Sequence, residues 1–241
     1  LTQVILGASI GELVCGKKEG NRAMLFGAIA GTIPDLDVLA SPFQDSIEYM
    51  EGHRSLTHSL LFSFIVAPIC GWIVFRLYTK LSADSEHFPA KKRASYWDWT
   101  KLFFFGFVTH WLLDCFTTWG TQIFYPFSRH GVAWKTIFVI DPLYTLPFMF
   151  FLLLASFKGK NNPKRRLFNH IGLVLSSSYL VLTVVNKQLV HTVFEEALQK
   201  QKIEYLEFDT HPTALNNILW SVNVKTKTGY YIGYYSFFDE N

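Results

Sequence analysis

The chain has 241 residues, half of them hydrophobic, and a positive mean hydropathy of +0.19. Only 17% are charged, against about 25% in an average soluble domain, and the composition points to a membrane protein. The formal net charge is only +3 and no basic stripe is interleaved with aromatics, so nucleic acid is not an expected partner.

Six apolar segments follow in chain order, roughly residues 1–16, 23–39, 56–78, 102–119, 142–157 and 167–189. A full membrane span needs about 20 mostly apolar residues. The third and sixth reach that length, and the first is short enough to be tilted, partial or re-entrant. Gly7, Gly11, Gly27 and Gly31 recur at four-residue spacing on the first two segments, a pattern that lets two helices approach closely. Cys15, Cys70 and Cys115 lie in apolar runs without Cys-x-x-Cys spacing and read as small buried hydrophobes.

The connecting loops alternate in charge. The first carries Lys17, Lys18 and Arg22, the third Lys80, Lys91, Lys92, Arg93 and Lys101, the fifth Lys158, Lys160, Lys164, Arg165 and Arg166. The second has only Arg54 as a positive charge, and the fourth only Arg129 and Lys135. Positive loops stay cytoplasmic, so the even loops and the tail are expected outside.

Four clusters of metal-type ligands lie beside these spans: Asp35 and Asp37 in Pro-Asp-Leu-Asp, His53 and His58 in His-Arg-Ser-Leu-Thr-His, His110 and Asp114 in His-Trp-Leu-Leu-Asp, and Asp141 before Pro142. Ionisable groups beside apolar spans mark function by default, and the loop charges bring all of them to the outer face. His110 and Asp114, four apart, share one helix face; the bland alternative is a polar helix pair. Asp35 and Asp37 repel each other unless a cation or proton lies between them, or serve as a helix cap. His53 and His58 straddle a helix start that Ser55 or Thr57 could cap. Arg54 suits an anionic oxygen such as phosphate, or a headgroup anchor. Asp141 reads as an N-cap with Pro at the first helical position. Gln3, Glu12, Thr117, Thr118, Thr121 and Gln122 are further candidates for the same chamber, whereas His87, His130, His170, His191 and His211 are set aside.

Beyond residue 190 the character changes. Residues 192–201 read as a short amphipathic helix, and 203–208, 217–225 and 230–238 as strands, with Lys227-Thr228-Gly229 as a hairpin turn. The chain stops just after a strand-like segment and reads as an excerpt. The expected architecture is an all-α polytopic membrane bundle of five to six helices over 1–190, with a small, incomplete β-rich extracytoplasmic module over 191–241.

The order Leu-Thr-Gln, Gly-Glu, Gly-Thr-Ile-Pro-Asp-Leu-Asp, His-Arg-Ser-Leu-Thr-His-Ser, His-x-x-x-Asp, Gly-Thr-Gln and Ile-Asp-Pro-Leu-Tyr resembles the YdjM-type bacterial inner-membrane proteins, commonly described as membrane-bound metal-dependent hydrolases. The resemblance covers roughly 1–190. It implies Asp35, Asp37, His53, His58, His110 and Asp114 as a metal site, with Arg54 and Asp141 on further motif positions; Trp111 departs from the small residue or Pro expected there. The reading that follows is a hydrolase of the bacterial inner membrane, holding one or two divalent ions, zinc first and manganese or iron next. Its active site faces out of the cytoplasm, with Arg54 and Asp141 as catalytic residues, and metal-activated water attacks a lipid or lipid-linked phosphoester, an amide or ester being the alternative bond. The alternatives are a metal-stabilised membrane scaffold or a metal transporter. A transporter should place its ligands near the bilayer midplane, which the outer-face clustering opposes.

Overall fold

A computed structural model describes residues 1–43, 52, 54–83 and 93–239. His53, His87 and the Lys91–Lys92 pair lie outside the described residues. Among those described, six α-helices precede a three-stranded sheet. The helices are α1 (Thr2–Glu19), α2 (Asn21–Ala30), α3 (Leu60–Ala83), α4 (Tyr96–Cys115), α5 (Pro142–Ser156) and α6 (Pro163–Lys200). Two 3₁₀ stretches, Pro34–Phe43 and Leu56–His58, lie between α2 and α3.

The helix starts are written in short polar signals. Ser95 and Asp98 form a reciprocal capping box on α4. Asn162 accepts from the Lys164 N–H ahead of α6, and Asp141 from Leu143 and Tyr144 N–H ahead of α5, each with Pro at the first helical position. On α3 the cap is Ser59, whose hydroxyl accepts from the Phe62 N–H, not Ser55 or Thr57 as the sequence suggested; Thr57 is engaged elsewhere.

The chain packs as three helix pairs, α1 on α2, α3 on α4 and α5 on α6, with α1 also against α4. The first pair rests on its glycines. A Cβ at Gly11 would collide with the Ala23 carbonyl oxygen, and one at Gly27 with that of Gly7. The apolar stretch 23–39 is not one helix: α2 ends at Ala30, and Pro34 begins the 3₁₀ stretch. Proline disfavours α geometry in the residue before it.

Two of the described helices, α3 over Leu60–Thr79 and α6, are long and apolar enough to cross a membrane, yet only 22% of either apolar window is buried in the protein. Phe64, Ile65 and Trp72 on α3 and Val174 and Val181 on α6 are more than half exposed. These are outward apolar faces, not core helices. α6 has 38 residues, so at 1.5 Å per residue it is about 57 Å long, well beyond the roughly 30 Å of a hydrocarbon layer. The expected separate helix at 192–201 is instead its last three turns, since neither Gly nor Pro interrupts 173–200.

Those turns carry the sheet. β1 (Glu207–Pro212), β2 (Leu219–Lys225) and β3 (Tyr230–Ser236) pair antiparallel in that order. Trp220, Val222 and Val224 of β2 bury against Val190, Phe194 and Leu198 of α6. β1 starts later than the 203–208 expected from alternation. Lys202 sits at φ 55 and the Ile203 N–H returns to the Leu198 carbonyl, so the first residues after α6 complete its C-terminus. The hairpin closes with the Thr226 N–H on the Gly229 carbonyl.

Far from the ligand clusters, Glu12 and Arg165 form a buried bidentate ion pair across α1 and α6, Nε to Oε1 at 2.8 Å and Nη2 to Oε2 at 2.6 Å. Arg165 Nη1 also donates to Asn21 Oδ1 and the Lys158 carbonyl. Glu12 is thereby engaged in the helix packing and is not part of a chamber with the histidines.

Candidate metal centre

Four ligand atoms converge where the 3₁₀ stretches meet α4. Asp35, His58, His110 and Asp114 each offer one donor, and the four atoms all lie within 4.8 Å of one another. His58 Nε2 is 3.1 Å from His110 Nε2, 3.4 Å from Asp35 Oδ1 and 3.3 Å from Asp114 Oδ2. His110 Nε2 is 3.3 Å from Asp35 Oδ1 and 3.6 Å from Asp114 Oδ2. Both histidines and Asp114 are buried, while half of the Asp35 side chain is exposed. The i, i+4 spacing on α4 brings His110 and Asp114 to one face, and the 3₁₀ stretches deliver Asp35 and His58 to meet them.

The surrounding hydrogen bonds fix which nitrogens face inward. His110 Nδ1 lies 2.9 Å from the Gly31 carbonyl, which can only accept, so Nδ1 carries the hydrogen and neutral His110 points a lone pair from Nε2. The Thr57 hydroxyl donates to Asp37 Oδ2 at 3.3 Å and lies 3.0 Å from His58 Nδ1. Its hydrogen is committed, so it accepts from His58 Nδ1–H, and His58 also presents Nε2. With both rings neutral, two lone pairs face each other across 3.1 Å beside two carboxylates. Asp114 Oδ2 is buried without a hydrogen bond of good geometry, whereas Oδ1 accepts from Gln3 Nε2 at 2.9 Å. Such an arrangement fits a cation at its centre.

The electrostatics agree. Asp35 and His58 sit on the 3₁₀ stretches, outside the helices. Burial alone would raise the Asp35 carboxyl, but hydrogen bonds and charge from His110 and His58 outweigh it and hold the group well below the usual carboxylate range. Burial disfavours the His58 imidazolium, yet Asp114 and Asp35 overcome it and raise its pKa. The carboxylates demand positive charge between them.

The other candidates take distinct places. Asp37 lies 3.8 Å from His58 Nδ1 and accepts from the Arg54 N–H, so it steadies His58 from behind. Arg54 is buried, with φ 61, in a region that costs a residue with a Cβ about 1–3 kcal/mol. Its Nη1 donates to Thr117 Oγ1 at 2.7 Å and the Trp119 carbonyl at 3.1 Å, Nη2 is 3.4 Å from Asp114 Oδ1, and Nε is buried without a hydrogen bond. Asp141 stands outside the four-atom cluster. Its Oδ1 caps α5 and its Oδ2 accepts from Tyr179 at 2.8 Å. Gln3 belongs to the centre more closely than its sequence position implied, and Tyr179 was not anticipated at all. Asp35, Arg54, Asp114 and Asp141 line one cavity of about 590 Å³, together with Gln3 and Tyr144.

Two relatives place the chain. YfhP, an uncharacterized protein of Bacillus subtilis, is 24% identical over 96% of this chain and 66% of its own length. The inner membrane protein YbcI of Escherichia coli is 30% identical over 53% of this chain and 69% of its own length. The aligned regions thus span about two thirds of each relative. No solved structure matches the chain. The family described as YdjM inner membrane protein matches residues 1–190, which hold all four clustered ligands, and the chain belongs to that family of inner membrane proteins.

Proposed function

We propose that this protein is a multi-pass hydrolase of the inner membrane whose Asp35, His58, His110 and Asp114 hold one zinc ion at the extracytoplasmic face. One geometric observation carries the metal assignment. Zinc bonds to nitrogen and oxygen run about 2.0–2.1 Å, so a regular tetrahedron around zinc has edges of roughly 3.3–3.4 Å. Five of the six donor separations, 3.1, 3.3, 3.3, 3.4 and 3.6 Å, fall around that value, and all six lie within 4.8 Å. Manganese and iron accept the same donor types, and the compact four-ligand set favours zinc.

When bound, the ion supplies Lewis acidity toward an ester oxygen and a lowered pKa for water. The chain's own residues do the rest. Asp35, half exposed and on the cavity wall, is the ligand nearest to an incoming substrate. Arg54, held by Thr117 and Trp119, presents a fixed cation to an anionic oxygen. Asp141 holds the start of α5 and Tyr179, and so keeps the cavity wall in place. Gln3 and Asp37 orient Asp114 and His58. The reaction class is phosphoester hydrolysis at a lipid or lipid-linked substrate: a water oxygen bonds to phosphorus, the bond to the alcohol oxygen breaks, and the alcohol leaves with a proton.

Metal content of the purified protein tests the core of this reading. About one zinc per chain is expected for wild type, with a strong loss in Asp35→Ala and His110→Ala; equal metal in all three would refute it. Sidedness is read separately by labelling single cysteines with an impermeant thiol reagent in intact cells. Thr228→Cys should label and Gly159→Cys should not, and the opposite pattern places the centre in the cytoplasm. A second reading, a metal-stabilised scaffold, is favoured by the fact that four protein ligands can close a tetrahedron. A wild type that holds zinc and hydrolyses no phosphoester would select it.

A further inference from the structure

The cavity over the metal centre has a neighbour. Leu113 and Tyr144 stand between it and a second groove of about 510 Å³ among α1, α4, α5 and α6, and line both. The two spaces differ in chemistry. The first holds Asp35, Arg54 and Asp114. The second is walled by Leu6, Ile10, Leu112, Leu180 and Val184. The few hydroxyls in its wall make few polar demands. Thr109 donates to the Phe105 carbonyl at 2.7 Å and Ser176 to the Leu173 carbonyl at 3.0 Å, each within its own helix. An occupant of this groove meets hydrocarbon.

The groove also opens outward. Leu112 is 41% and Val181 65% exposed, and Val181 lies on α6, one of the helices long and apolar enough to cross a membrane. We infer that the groove receives an acyl chain of a membrane phospholipid whose anionic head group lies in the adjoining cavity, beside Arg54, Asp35 and Asp114. The inference rests on the proposed hydrolase and names its substrate class. The chain and the charge of one amphiphile match the two adjoining spaces: a phosphate faces the fixed guanidinium, and a tail follows the apolar wall.

A tail that leaves the bilayer for the groove exchanges one hydrocarbon environment for another, so little affinity comes from the transfer. What the groove provides is register. A fixed chain sets the depth of the phosphoester relative to the centre, and small displacements of a reacting group are costly in rate.

The test uses the full chain in nanodiscs and two substrates, a dioleoyl phospholipid and the chainless diester bis(p-nitrophenyl) phosphate. Ser177→Trp and Val184→Trp place bulk on the groove wall without touching the metal ligands. Both should lower kcat/KM on the phospholipid by about tenfold or more and leave the chainless diester near wild type. Full rates on the phospholipid in both variants overturn the groove assignment. A wild type inactive on both substrates sinks the hydrolase reading instead, and the groove is then judged by crosslinking. A phospholipid with a diazirine on its acyl chain should label Leu112 and Leu180 in wild type, and much less in Ser177→Trp; unchanged labelling in the variant overturns the inference.

Discussion

At the scale of single residues, the sequence offers side chains of metal-ligand type but not how they divide the task. Asp35 and Asp37 are indistinguishable on paper. A 3₁₀ stretch has 3.0 residues per turn, so side chains two apart point about 120° away from each other. Asp35 meets the two Nε2 atoms, and Asp37 goes behind His58 to Thr57 and the Arg54 N–H. His110 and Asp114 were legible because helical spacing alone puts them on one face. The left-handed backbone at Arg54 has no counterpart in its local composition, because it is imposed by the groups that hold its guanidinium and N–H. The positioning role of Asp37 has a measurable consequence. Asp37→Ala should retain the four ligands and weaken zinc affinity by about 10–100-fold, read by competition with a chromophoric chelator. An unchanged affinity would remove Asp37 from the centre.

At the scale of elements, apolar runs locate most of the helices, and alternation locates β2 and β3. The failures came where a boundary is set by something other than local pattern. The run 23–39 is uniformly apolar, yet its second half is turned by Pro34 into the stretch that delivers Asp35. The amphipathic tail of α6 looked like a new helix because its partner, the inner face of β2, is distant in sequence. The glycine spacing of α1 and α2 was read correctly, since a four-residue repeat of the smallest residue leaves few other uses. Gly11→Val makes this quantitative. The added carbons meet the Ala23 carbonyl, and overpacking of this kind costs about 1–3 kcal/mol, so the melting temperature in detergent should fall. Gly159→Ala, where an added Cβ meets nothing within 4 Å, is the control that should not move.

At the scale of the whole molecule, the first and last helices are joined by the Glu12–Arg165 pair, whose members are 153 residues apart in the chain. This has a consequence for biogenesis. At about 5–20 residues per second, α1 waits roughly 8–30 s before the guanidinium that neutralises it has been made. During that interval Glu12 has no Arg165, and a carboxylate buried without its partner costs several kcal/mol. The first helix therefore cannot reach its final packing, with Glu12 buried against its partner, until α6 arrives. In nascent chains arrested at residue 160, α1 should accordingly be cut by protease in detergent, and Glu12→Gln in the same truncated chain should make it resistant. Equal resistance of the two would mean that α1 needs no late partner. Assembly order in this protein is then governed by its last helix, which completes the charge of its first.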